Sequence, residues 1–257
     1  MPNQFILSPF FLDEPRDALK LIAHADWTLN APALPEGDKQ TRMACIYENL
    51  AQAVEQTVRR GARPVSLAGD CCAAIGVLAG LQRAGIAPTV LWLDAHGDFN
   101  TWETTPSGFL GGMPLAMLVG RGEQTLPRAV ELQALDEARV VLCDARDLDA
   151  GEKIALENSR IRQIGDVRQI PLDALMHVPL YVHFDADLIN PRDAPAQSYA
   201  TPGGPSAREL KMFFHALADS ETIVAVSLSA WNPAMDADGK TRAGSMELLR
   251  ALVGEAK

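Results

Sequence analysis

Apolar residues follow two rhythms along the chain. Short, nearly unbroken apolar runs such as VLWLD (90–94) and PLYVHFD (179–185) have the pattern of strands buried on both faces. Runs of this kind predict strands at Phe5 to Pro9, Pro64 to Ala68, Thr89 to Asp94, Arg139 to Cys143, Arg162 to Gly165, Leu180 to Asp185 and Ile223 to Ser229. Between them, apolar positions recur every third or fourth residue and predict helices, among them Thr41 to Arg60, Cys72 to Ala84, Ala207 to Ala218 and Ser245 to Val253. Gly61, Gly85 and Pro88 stand where those helices should stop. Strand and helix alternate from end to end, so the expected class is α/β: a parallel sheet covered by helices on both faces, in one domain spanning 1–257.

Composition narrows the function classes. A formal charge of -10 would repel a phosphate backbone, which argues against nucleic acid and against an anionic membrane surface as partners. There is no run of about 18 apolar residues, and the N-terminal apolar stretch lacks a basic flank, so it reads as a first strand and not as a signal peptide. Four cysteines (Cys45, Cys71, Cys72, Cys143) are too few for a disulfide scaffold and suit a reducing, cytoplasmic setting.

The chemistry concentrates where two apolar runs end. DAHGDFN places Asp94, His96 and Asp98 two apart, and HFDADLINP places Asp185 and Asp187 two apart. Alternate residues of an extended chain project from one side, so each set can converge. Crowded carboxylates repel and lose solvation unless a cation lies among them. Five such donors exceed what one small ion needs; carboxylates shared between two ions roughly 3.5 to 4 Å apart would use them all. The two longest irregular segments, Phe99 to Gly112 and Asn190 to Pro205, follow these strand ends, the place where open α/β sheets bind ligands. His183 shares the face of Asp185 by strict alternation, giving it a supporting position. Asp70 is expected to orient its loop, and Trp92 and Trp231 to pack. Met113, Met117 and Leu118 read as the buried face of a short helix. His24, His177 and His215 read as surface or structural residues.

With these residues in view, the chain resembles the ureohydrolase superfamily of arginase, agmatinase and formiminoglutamase. The likeness rests on five segments in order: LAGDCC, DAHGDFN, DARDLDAGE, HFDADLINP and SAWNPAMDADGKT. It implies a three-layer α/β/α sandwich with a mostly parallel sheet of about eight strands. It further implies two manganese ions (Mn2+), with Asp94 and Asp185 bridging, Cys71 and Asp98 completing one site, and His96 and Asp187 the other. Asn100 and Ser107 match contacts to a substrate carboxylate, and Asp149 matches a contact to its ammonium group. The implied partner is a small amino-acid-like substrate, and family members often form homo-oligomers.

Three positions depart from the family pattern. Cys71 replaces a histidine ligand, and its softer sulfur would favour Zn2+, Fe2+ or Co2+ over manganese. Gly111, in SGFLGGMP, replaces a histidine. Ala230 replaces a glutamate that holds a guanidinium group, and losing one partner of a buried charged pair costs about 2 to 5 kcal/mol. The combination is most similar to the hydroxyarginine hydrolase branch, which releases hydroxyurea, although that branch keeps an acidic residue near the Ala230 position.

The expected activity is therefore a dinuclear metal-dependent cleavage of a C–N bond in an amidino-type group, with N-omega-hydroxy-arginine as leading substrate. Two ions sharing a water would lower its pKa toward neutrality, and Asp98 is the candidate to pass a proton to the leaving nitrogen. A second reading, from the same three substitutions, is a catalytically weakened relative that binds a small molecule or a protein. A third is a mononuclear amide-cleaving deacetylase. Metal content separates them.

Overall fold

The computed structural model describes residues 1–220 and 222–254. In chain order they form β1 (Asn3–Ser8), β2 (Phe10–Phe11), β3 (Glu14–Pro15), β4 (Thr28–Leu29), α1 (Lys39–Arg59), β5 (Arg63–Ala68), α2 (Ala74–Arg83) and β6 (Thr89–His96). There follow α3 (Pro114–Leu118), α4 (Thr125–Ala129), β7 (Val140–Asp147), α5 (Ala150–Glu157), β8 (Arg162–Ile164), α6 (Leu172–Leu175), β9 (Leu180–Asp185), α7 (Ala207–Ala218), β10 (Ile223–Ser229) and α8 (Lys240–Val253).

Eight strands make one sheet in the order β4-β1-β5-β10-β9-β6-β7-β8. Every pairing in it is parallel, so all carboxyl ends share one edge. The expected sandwich is present. Alternate residues of β6 feed separate cores: Val90 and Trp92 join the side chains of α1 and α2, while Leu91 and Leu93 join those of α7 and α8. This double burial is why the strands read as unbroken apolar runs.

Local chemistry accounts for the helix starts. The Asp38 side chain accepts from Thr41 N at 2.8 Å, and Met43, Ile46, Tyr47, Leu50 and Val54 then bury one face of α1. Ser206 and Glu209 close a reciprocal cap on α7, which buries Leu210, Phe213, Phe214 and Leu217.

Several expected boundaries move, among them that of β7, which runs on from Cys143 to Asp147. β6 continues past Asp94 to His96. The residues before α2 form a 3-10 turn, Cys71–Ala73, because Asp70 caps Cys72 N at 3.0 Å. α8 begins at Lys240, earlier than Ser245, because the Asp236 carboxylate accepts from Thr241 N and Arg242 N and secures an extra turn. No helix among the described residues is long and apolar enough to cross a membrane.

One feature of register matters for the site. Ser66, Ser227, His183 and Trp92 are successive cross-strand neighbours on β5, β10, β9 and β6. Two residues further along, Ser229 pairs with Asp185. His183 therefore occupies the row directly beneath Asp185, and Trp92 the row beneath Asp94.

Candidate metal centre

The carboxyl ends of β5, β9 and β6 bring the sequence-expected donors together. One donor atom each from Cys71, Asp94, His183 and Asp185 lie within 4.8 Å of one another, and so do donors from Asp94, His96 and Asp187. Asp94 belongs to both groups. Asp98 is in neither, but it is buried and lines the same cavity.

Backbone amides aim these carboxylates. Asp94 Oδ1 accepts from His96 N at 2.7 Å, and Asp185 Oδ1 accepts from Asp187 N at 2.7 Å. Their other oxygens face Cys71 Sγ, which lies 3.8 Å from Asp94 Oδ2 and 2.7 Å from Asp185 Oδ2. His96 Nδ1 is 3.1 Å from Asp187 Oδ2 and 3.4 Å from Asp94 Oδ1. Its Nε2 faces Thr201 Oγ1 at 3.4 Å, and that hydroxyl donates to Asp147 Oδ2 at 3.1 Å. An imidazole held from behind in this way is typical of metal-ligating histidines.

Simple alternation does not explain the convergence. β6 has a register irregularity between Asp94 and His96, and Asp98 adopts a left-handed φ of 49°. Asp187 sits in a 3-10 turn (Ala186–Leu188) that Asp185 caps, not in extended chain. Asp98 is nevertheless fixed: its carbonyl accepts from Leu115 N and Ala116 N at the start of α3.

Charge is unbalanced here. Burial, with Asp94 and Asp185 nearby, pushes the Asp98 carboxyl well up, and burial with Asp187 and Asp94 does the same to Asp185. Burial also raises Asp94, yet the hydrogen bond and charge of His96 hold it below its ordinary value. Burial and the surrounding carboxylates push the Cys71 thiol far up, whereas burial drives His183 down to about 4 and keeps it neutral. Asp98 Oδ2 is buried with no hydrogen-bond partner among the described residues. An orphaned carboxylate oxygen among other acids is the environment a divalent cation relieves, so the residues present fit a pair of such ions.

Asn100, Ser107, Asp149 and Ala230 line one cavity of about 830 Å³ with these donors. Asn100 Nδ2 donates to Asp149 Oδ2 at 2.9 Å, and Phe109 N donates to Ser107 Oγ at 3.2 Å. Ala230 holds a left-handed φ of 62° at the end of β10. At Gly111 a Cβ would come within 2.4 Å of the Phe109 ring, so an aromatic ring fills the space beside this position. Trp231, expected to pack, also lines the cavity and donates to Asp236 at 2.8 Å. Trp92 is fully buried, Asp70 does orient its loop by accepting from Leu12 N at 2.6 Å, and His24, His177 and His215 are exposed.

Sequence reading missed Glu152. This buried carboxylate accepts from Phe99 N at 2.8 Å and from Asp149 N at 3.3 Å, joining the loop after β6 to the start of α5. Burial pushes it to about 7. Gly97 permits the approach, since a Cβ there would lie 2.7 Å from the Glu152 carboxyl carbon. The signal available was DAGE following Asp147 and Leu148, a capping pattern at the start of a helix. Thr201 carried no such signal, because a distant loop brings it to His96, whereas Asp147, inside DARDLDAGE, meets His96 as its cross-strand neighbour at the end of β7.

A model of the arginase family matches residues 11–254. The chain belongs to the arginase family. It is 34% identical to the arginase of Bacillus caldovelox over 237 residues, covering 86% of this chain and 79% of that protein. The arginase of Bacillus subtilis (strain 168) is 32% identical over 223 residues, covering 81% and 74%. The crystal structure of the Bacillus caldovelox arginase superimposes with a TM-score of 0.83 at 29% identity, covering 99% of this chain and 98% of that one. This arginase-family hydrolase thus has the family fold and a cluster of potential metal ligands.

Proposed function

We propose that this arginase-family chain is a dinuclear metal-dependent hydrolase that cleaves a C–N bond of an amidino-type group in an amino-acid-derived substrate. The observation that carries the reading is that Asp94 belongs to both donor groups, so its carboxylate would hold both ions. Cys71, Asp94, Asp98 and Asp185 would hold one ion, and His96 and Asp187, with Asp94 and Asp185, would hold the other. The pair would be manganese, or zinc, iron or cobalt were the Cys71 thiolate to ligate. When bound, the ions supply an activated water and positive charge opposite the developing oxyanion.

The chain's own groups do the rest. Asn100 and Ser107 bind the substrate carboxylate, and Asp149, steadied by Asn100, binds the ammonium group. Asp98 holds the proton that passes to the leaving nitrogen. Ala230 provides no carboxylate for a guanidinium, which disfavours arginine itself by about 2 to 5 kcal/mol and favours a less basic group. N-omega-hydroxy-arginine, giving ornithine and hydroxyurea, is the leading substrate. Purified protein loaded with Mn2+ or Co2+ and given guanidino, hydroxyguanidino and formimino amino acids should release hydroxyurea from the second class; a silent panel rejects the activity.

The Phe109 ring beside Gly111 favours a second reading, a weakened relative that binds a small molecule or protein without turnover. That reading predicts one bound ion or none.

A further inference from the structure

Cys71 removes an imidazole from the first donor group, yet that group still contains one. His183 is 1% exposed and sits on β9 two residues before Asp185, in the row directly beneath the carboxylates. One of its ring nitrogens lies within 4.8 Å of donor atoms from Cys71, Asp94 and Asp185.

The ring is held on two sides. It stacks on Trp92 with centroids 3.7 Å apart and planes 22° from parallel, which fixes its plane. Nδ1 lies 2.8 Å from Ser227 Oγ, which is itself 2.8 Å from the Tyr181 hydroxyl. Nε2 has no comparable partner among the described residues: Ser229 Oγ is 3.5 Å away, at the outer edge of hydrogen bonding. Ser229 Oγ in turn lies 3.0 Å from Cys71 Sγ and 3.3 Å from Asp185 Oδ2, so Nε2 is the nitrogen on the side of the thiol and carboxylates. A histidine whose Nδ1–H is donated to a fixed acceptor, with Nε2 open toward acidic donors, has the arrangement of a metal ligand. Ser227 can accept that hydrogen while donating its own to Tyr181.

We propose that His183 Nε2 is the nitrogen donor of the first ion, supplied from β9 in place of the imidazole that position 71 lacks. The inference rests on the dinuclear reading above. It changes the character of that site: thiolate, imidazole and the carboxylates of Asp94, Asp98 and Asp185 would form a mixed sulfur, nitrogen and oxygen set, suited to zinc, iron or cobalt. The second group, Asp94, His96 and Asp187, has no sulfur.

The test uses the full-length protein labelled with 15N-histidine and loaded with Mn2+ for pulsed EPR, with ion counts and affinities by plasma mass spectrometry after equilibrium dialysis. Wild type should bind two ions and show two coupled imidazoles, His96 and His183. His183→Asn should show one, with affinity for one of the two ions reduced at least about tenfold and the other unchanged. Adding Cys71→His to that variant should restore the lost ion. A single coupled imidazole in wild type overturns the proposal whether or not the variant folds. So do two ions of unchanged affinity in His183→Asn. Fewer than two ions in wild type removes the dinuclear reading itself, and this inference with it.

Discussion

Cys71 Sγ stands 2.7 Å from Asp185 Oδ2, inside a pocket whose burial raises both groups. A thiol there keeps its proton until a cation displaces it, and the ion that does so best is a soft one. In competitive dialysis against equal Mn2+ and Zn2+, Cys71→His should therefore raise the bound Mn2+ share over wild type; an unchanged ratio would mean that the sulfur never ligates. Ala230 allows a second test at this scale. Its left-handed φ of 62° is already borne by a residue with a Cβ, so a longer side chain adds little backbone strain. Ala230→Glu should lower the KM for arginine by roughly thirtyfold, the lower end of about 2 kcal/mol for a regained charged pair. No gain in arginine turnover would contradict the role given to this position. These residues were legible because each falls inside a recognisable segment. Thr201, behind His96, was not, since it reaches that ring from a loop 54 residues beyond Asp147 in sequence.

Elements were legible where one rhythm dominated. β9 and α7 have the limits their patterns predict, because an apolar run and a Ser-x-x-Glu cap each specify one outcome. The turn at Cys71–Ala73 was not, since a polar cap from Asp70 overrides a helical pattern locally. The same kind of constraint operates between β6 and α5. Gly97 lies against Glu152 and Leu148, with room for no side chain, and Glu152 holds Phe99 N. Gly97→Ala should cost about 1 to 3 kcal/mol in a denaturant titration. It should also weaken metal binding by displacing Asp98; a variant as stable as wild type would show that the loop adapts freely.

At the scale of the molecule, the parallel sheet brings every strand's carboxyl end to one edge and so assembles an acidic centre that folding alone does not favour. In the ion-free protein Glu152 has a pKa of about 7 against an ordinary 4.5, and Asp70 about 6 against 3.8. Both hold their protons more tightly folded than unfolded. Their contribution is full below the ordinary values and is lost as pH rises through the folded ones. The melting temperature of chelator-treated protein should accordingly fall between about pH 5 and pH 8. Divalent ions compete with protons for the neighbouring ligands, so the gain in melting temperature on metal loading should widen over the same range. A gain that shrinks with rising pH would contradict the assignment. The most direct measurement is anomalous diffraction from crystals grown with Mn2+ or Co2+. Two peaks roughly 3.5 to 4 Å apart, both against Asp94, are expected. A lone peak, or carboxylates turned outward with no peak between them, would contradict the dinuclear account.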